Sequence, residues 1–191
     1  MRSFIRAATF LLCMAAVTAL AYDGPARTPR AEWFEYKSQT FSVSFPSQPR
    51  VGSMVVESDG VLRNGLAVGA ESQRSAYILS CVEFYDQPGM SIDDLPEVLR
   101  SRTEGRVLNK RDLRLQGYDG REYTIQNEHG TLIHRTYVVN RWVYQLAVQT
   151  RRLKFERRNI DRFFESFRVG RLPDGPVATS SAGVLLPAHI S

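Results

Sequence analysis

The sequence predicts an α+β domain in which a mostly antiparallel sheet carries two main helices. Three observations carry this. Segments with strict apolar alternation recur, most clearly Phe41-Ser42-Val43-Ser44-Phe45 and Trp142 to Gln149, and alternation puts the apolar residues on one face of a strand. Short Asn- and Gly-containing turns join the segments in hairpin fashion, with no strand–helix–strand rhythm, so the strands run antiparallel. Two further segments, from Asp94 and over 153–167, show helical apolar spacing instead. At 191 residues, 43% hydrophobic and 24% charged, the chain suits one globular domain, and a disordered or collagen-like chain is excluded.

Residues 22–32, with Gly24, Pro25 and Pro29, read as a loose lead-in, and strand character begins at Trp33. Pro46 and Pro49 end the strand 41–45. Val51 to Glu57 forms a second apolar run closed by Ser58-Asp59-Gly60. Asn64-Gly65 reads as a hairpin turn, since both residues tolerate positive φ, with 66–70 returning from it. The run 76–85, which contains Cys81, is stopped by Asp86, Pro88 and Gly89. Asp94 then reads as a helix N-cap, with Glu97 at the third helical position, Pro96 among amides that lack partners anyway, and Gly105 at the exit. Strand character resumes over 107–115 and ends at Gly117. Segments 121–127 and 132–139 flank the turn Glu128-His129-Gly130. Asn140-Arg141 makes the next turn, and Trp142, Tyr144, Leu146 and Val148 share one face. Leu153, Ile160, Phe163, Phe164 and Phe167 make one stripe of the last helix, which must be buried on the sheet. Residues 170–191, rich in Gly, Pro, Ala and Ser, read as a flexible tail.

The N-terminus bears on location. Arg2 and Arg6 precede an uncharged run from Ala7 to Ala21 that ends in Ala19-Leu20-Ala21, the layout of a secretory signal peptide cleaved between Ala21 and Tyr22. The run is shorter than the ~20 residues that span a bilayer, so no transmembrane segment is expected after cleavage. Cys13 lacks the small preceding residues of a lipidation site, and adjacent arginines of a twin-arginine signal are absent. The expected location is periplasmic or secreted. Cleavage takes two of the 25 basic residues and no acidic one, so the net charge falls from +5 to +3. It also leaves Cys81 as the one thiol, which excludes an internal disulfide and reads as a small buried hydrophobe.

Motifs for catalysis and cofactor binding are missing: no phosphate-binding Gly-rich loop, no Gly-x-Ser-x-Gly elbow and no His-Glu-x-x-His helix. No cofactor is implied. A metal site from Glu128, His129 and His134 lacks any spacing signature. A Cys81–His134 nucleophilic pair requires the two within hydrogen-bond reach. Asp93 and Asp94 fit the electrostatics of a helix start better than paired acid–base chemistry. The aromatic residues sit where core packing accounts for them. The polar feature left over is Arg151, Arg152, Lys154, Arg157, Arg158 and Arg162 on and before the last helix. It reads either as a solvated face with Arg152–Glu156 and Arg157–Asp161 pairs or as a docking surface for a protein partner or the anionic envelope surface. Nucleic acid is disfavoured, since no recognition motif accompanies these charges.

Four phrases carry a family likeness: Phe41-Ser42-Val43-Ser44-Phe45-Pro46-Ser47-Gln48-Pro49, Gly117-Tyr118-Asp119-Gly120-Arg121-Glu122-Tyr123, the stretch Arg135 to Leu146, and Phe163-Phe164-Glu165-Ser166-Phe167. With the element order, they resemble the PsbP/Mog-like superfamily over residues 33–169. The resemblance implies an α/β/α sandwich with protein-binding or accessory roles and no shared catalytic residues. The expected function is an exported, non-catalytic binding module of the cell envelope. A small-molecule or lipid carrier with an apolar pocket stands second and an enzyme third.

Overall fold

A computed structural model describes residues 33–58, 61–84, 92, 105–151 and 153–170. The expected signal peptide, lead-in, first helix and the tail from 171 lie outside the described residues.

The short strands β1 (Phe34–Lys37) and β2 (Phe41–Phe45) open the described chain. Three long ones follow, β3 (Arg50–Ser58), β4 (Val61–Glu71) and β5 (Ser75–Glu83). After residue 105 come β6 (Arg106–Leu115), β7 (Tyr118–Asn127), β8 (Gly130–Val139) and β9 (Trp142–Thr150). The chain ends in a 14-residue helix, α1 (Leu153–Ser166), and a two-residue strand, β10 (Arg168–Val169). The long strands form a seven-stranded sheet in the order β3-β4-β5-β9-β8-β7-β6, every neighbour antiparallel, and β1-β2-β10 form a small second sheet.

This corrects the expected fold class. The described residues are mostly β, with two antiparallel sheets and a single helix, and they do not form an α/β/α sandwich flanked by two main helices. The large sheet carries α1 and the small sheet together on one face. β2 alternates Phe41, Val43 and Phe45 as buried residues and packs them against Phe163, Phe167 and Tyr144, so it lies beside the helix as a second apolar surface.

Of the turns expected from sequence, those at 116–117, 128–130 and 140–141 hold, those at 59–60 and 86–89 lie outside the described residues, and one does not hold. Gln116 and Gly117 adopt positive φ between β6 and β7, and Asn140 does so between β8 and β9. The exception is Asn64-Gly65, which lies inside β4 opposite Val55 and Met54, while the reversal falls between Ser58 and Val61. Gly65 is needed for clearance, since a Cβ there would stand 2.8 Å from the Cys81 carbonyl oxygen and 2.8 Å from a Val82 methyl. The same lack of a side chain that suits glycine to turns suits it to close strand approach, and sequence pattern does not separate the two.

The main core lies between the large sheet and its helix-bearing face. Ile160, Phe163 and Phe164 come from α1 and Phe167 from the residue that follows it, Phe41, Val43 and Phe45 from β2, and Tyr77, Leu79, Tyr137, Tyr144, Leu146 and Val148 from the large sheet. Each fully buried side chain of this size contributes about 1.5–3 kcal/mol. The rings form a connected set. Phe167 lies 5.5 Å from Tyr144, 5.9 Å from Tyr137 and 6.3 Å from Phe41, and Phe163 lies 5.3 Å from Phe45 and 5.4 Å from Tyr77. The opposite face is also buried in its centre, by smaller clusters around Val82 and Val143 and around Tyr123 and Ile125. Thus β9 is buried on both faces, and the four residues expected to share its inner side are only half of its core.

Replacing Phe167 by alanine removes a ring in contact with three others from three different strands. The expected loss is about 3–5 kcal/mol in urea or guanidinium unfolding, with no change in far-UV spectrum for the surviving folded fraction.

Candidate functional site

Helix α1 separates its two faces sharply. Glu156, Ile160, Phe163 and Phe164 point inward, while Lys154, Arg157, Arg158, Arg162 and Glu165 are exposed, with Asp161 at the boundary. Lys154, Arg157, Arg158 and Arg162 share one outer surface and, with Asp161, Glu165 and Ser166, line a shallow open depression along it, whereas Arg151, just before the helix, lines a neighbouring depression with Arg74 and His129. Arg152 lies outside the described residues. The charges differ in their engagement. Arg157 Nε donates to Asp161 Oδ2 at 3.1 Å, the expected i,i+4 pair. The guanidinium of Arg162 lies 4.5 Å over the Trp33 ring. Arg151, Lys154 and Arg158 are exposed and have no ion partner among the described residues. Glu156, expected as the surface partner of Arg152, does not lie on the surface. It is buried, and accepts from Tyr77 Oη at 3.4 Å and Asn159 Nδ2 at 3.3 Å. Burial, reinforced by the Glu156 charge, pushes the Tyr77 phenol up to about 12.

Beneath the helix lies an ionic cluster that sequence reading missed. Glu122 on β7 accepts from Arg111 on β6, Nε–Oε1 2.6 Å and Nη2–Oε2 2.9 Å, and from Arg135 Nε on β8 at 2.6 Å. Arg135 also stacks 4.2 Å from the centre of the Phe164 ring, so the cluster ties three strands to α1. Burial works against the Glu122 charge, but hydrogen bonds from Arg111 and Arg135 hold its carboxyl below the ordinary range. A signal was available. The turn at Gln116-Gly117 and the turn at 128–129, once extended as registers, place Arg111 opposite Glu122 and Glu122 opposite Arg135.

The candidates for chemistry are held apart. Cys81 pairs with Tyr144 and lies on the helix-bearing face, whereas His134 pairs with Ala147 and Tyr123 on the other face. The sheet therefore stands between the thiol and the imidazole, which dismisses a Cys81–His134 pair. Burial drives the Cys81 thiol up to about 11. Glu128 and His129 pair with each other at 3.2 Å on an exposed turn, while His134 is fully buried, and among the described residues no three metal-ligating side chains converge. Asp93 and Asp94 lie outside the described residues. The space between sheet and α1 is filled by the ring cluster.

His134 was weighed from sequence only as a ligand or base. Its Nδ1 lies 3.4 Å from Thr136 Oγ1, and its Nε2 has no hydrogen-bond partner among the described residues. Burial lowers its pKa to about 4, which keeps the ring neutral near pH 7.

The fold that frames these groups is PsbP-like. It matches the solution structure of cyanobacterial PsbP (CyanoP) from Synechocystis sp. PCC 6803 over 78% of this chain and 98% of that one, with a TM-score of 0.53 and 10% sequence identity. A Pseudomonas aeruginosa protein of unknown function matches over 76% of this chain and 99% of that one, with a TM-score of 0.38 and 11% identity. At such identity the likeness to CyanoP is one of fold alone, and the Mog half of the expected superfamily gains no support. No family model and no curated protein matches the sequence. Among the described residues no helix is long and apolar enough to cross a membrane.

Two outcomes follow from the buried charges. Glu122→Ala strands two guanidiniums and costs about 3–5 kcal/mol in chemical unfolding. A double-mutant cycle gives a larger coupling for Glu122–Arg135 than for Glu122–Arg111, because the Arg135 side chain is 13% exposed and that of Arg111 46%. His134 makes the fold acid-sensitive. Its folded pKa of about 4 lies below the unfolded value near 6.5, so between them the unfolded chain binds the extra proton and stability falls as pH falls. The expected contribution is about 3 kcal/mol across that window. His134→Gln flattens the stability–pH curve between pH 6.5 and 5, above the range where Glu122 protonates.

Proposed function

We propose that the chain is a non-catalytic accessory module of the cell envelope that docks an acidic protein partner through the outer face of α1. The observation that carries this is the state of Arg151, Lys154 and Arg158. They are exposed and without ion partners among the described residues, Lys154 and Arg158 on a helix whose inner face is committed to the core and Arg151 just before it. Over residues 151–168 seven basic side chains face Glu156, Asp161 and Glu165, and Glu156 is withdrawn into the interior, so the outward face is more basic than the sequence count suggests. A compact positive face steers association with a negative surface and fixes orientation more than it adds affinity.

Location outside the cytoplasm rests on the signal-peptide layout of residues 1–21, and the PsbP-like fold is consistent with an accessory role. The separation of Cys81 from His134 by the sheet supports a role without covalent catalysis. The carrier reading is weakened by the ring packing that fills the layer between sheet and helix.

The combined variant Arg151→Glu, Lys154→Glu, Arg158→Glu is expected to abolish recovery of the partner from an envelope fraction, while unfolding free energy stays within about 0.5 kcal/mol per site because all three are exposed. Wild-type recovery should weaken with rising salt. Partner recovery that survives the triple reversal would overturn the docking surface. Sedimentation of wild type, and not the variant, with phosphatidylglycerol vesicles in the absence of protein partner would assign the same face to the membrane instead.

A further inference from the structure

Three segments far apart in sequence meet at one end of the large sheet. Thr150, the last residue of β9, stands opposite both Ser75 on β5 and Thr131 on β8, so the β4–β5 turn, the β7–β8 turn and the start of α1 lie side by side. Each brings one basic residue, Arg74, His129 and Arg151 in turn. Together with Ser72, Gln73 and Gln149 they line a depression of about 450 Å³. Side-chain bonds tie the segments to one another around it. Thr150 Oγ1 donates to the Arg74 carbonyl at 3.3 Å, and Ser72 Oγ accepts from the Arg74 N–H at 3.5 Å. Asn127 and Gln149 exchange amide bonds of 3.2 and 3.4 Å across β8, and Asn127 Oδ1 also accepts from the His129 N–H at 3.0 Å. The backbone that carries the basic residues is thus fixed before anything binds.

The guanidiniums themselves are left over. Arg74 and Arg151 are exposed and have no ion partner and no side-chain hydrogen bond among the described residues. Glu71 also lines the depression but pairs with neither, and Glu128 is paired with His129 Nε2 at 3.2 Å. Arg151 stands at the N-terminal end of α1, where the helix dipole adds positive potential and acidic residues are ordinarily favoured. The acidic residue of that first turn, Glu156, is turned inward to Tyr77 instead. Like charges gathered on a fixed frame repel one another, and an anion seated between them removes that repulsion. We propose that this depression binds a phosphate group, either free or carried on a larger molecule. Two guanidinium forks and an imidazole from three segments suit the tetrahedral oxygens and multiple charge of a phosphate better than a flat, singly charged carboxylate. The site is separate from the docking face, since Arg74 and His129 lie off α1 and Arg151 is the residue common to both.

The test titrates the isotope-labelled full chain with inorganic phosphate at constant ionic strength and follows its amide resonances. Saturable one-to-one shifts are expected at Arg74, His129 and Arg151. Arg74→Gln and Arg151→Gln each weaken binding about tenfold, the worth of one charge-assisted contact, with unfolding midpoints unchanged because both sites are exposed. The pair Lys154→Gln, Arg158→Gln disables the docking face and leaves phosphate binding as it was, so the two readings fail separately. Vesicles of phosphatidic acid in phosphatidylcholine identify the source. Sedimentation that Arg74→Gln abolishes and soluble phosphate competes away assigns a lipid headgroup, while phosphate binding without such sedimentation assigns a soluble phosphate. A titration with no saturable shift at these three residues overturns the proposal. So does binding that Lys154→Gln with Arg158→Gln weakens as much as Arg74→Gln does, or binding that acetate reproduces at equal concentration.

Discussion

The ring layer between α1 and the large sheet is the contact on which everything else in the molecule rests. Phe163 in the last turn of the helix and Phe167 just beyond its end between them touch rings from β2, β5, β8 and β9. A 14-residue helix is marginal on its own in water, so the helix exists because its apolar stripe has this surface to cover. The same contact fixes β10, which follows α1 directly and pairs with β2. Gln116, at the turn between β6 and β7, bonds both the N–H and the C=O of Val169, drawing the far hairpin to the same assembly.

Polar groups beneath the surface are arranged by strand register rather than by proximity in sequence. Arg111, Glu122 and Arg135 meet because two hairpins put them on one face in successive strands, and there they exchange charge-assisted hydrogen bonds that offset the desolvation of Glu122. His134 is adjacent in sequence to Arg135 but points to the opposite face, where it lies among Tyr123, Ala147 and Thr136. Alternation thus separates an ionised cluster from a neutral imidazole across the thickness of one sheet. It also separates His134 from Cys81, so two residues that look reactive on paper are each inert in place.

The outside of the molecule is similarly divided. Positive charge concentrates on the exposed face of α1 and along β6, while the β3 edge is apolar and uncharged over its central residues. Among the described residues the molecule thus presents two chemically distinct surfaces, one basic and one apolar.

Much of this was legible in the sequence. Most strand segments, the glycine and asparagine turns at 117, 130 and 140, the last helix and its buried stripe follow from alternation, turn chemistry and helical spacing, which are local properties. The basic face of α1 was legible for the same reason, since a helix displays its spacing directly. The antiparallel direction followed from hairpins. Tertiary structure alone decided that the helix and a three-stranded sheet share one side of the large sheet, because which surfaces cover one another depends on contacts far apart in the chain. It alone decided that Asn64-Gly65 is strand interior, since the need there is clearance from β5 and not a turn. It turned Glu156 inward to Tyr77, against its expected role as a surface partner. It also decided which of the described strands end the large sheet, β3 and β6. A sequence states what each strand can bury; only the assembled sheet determines what is left uncovered.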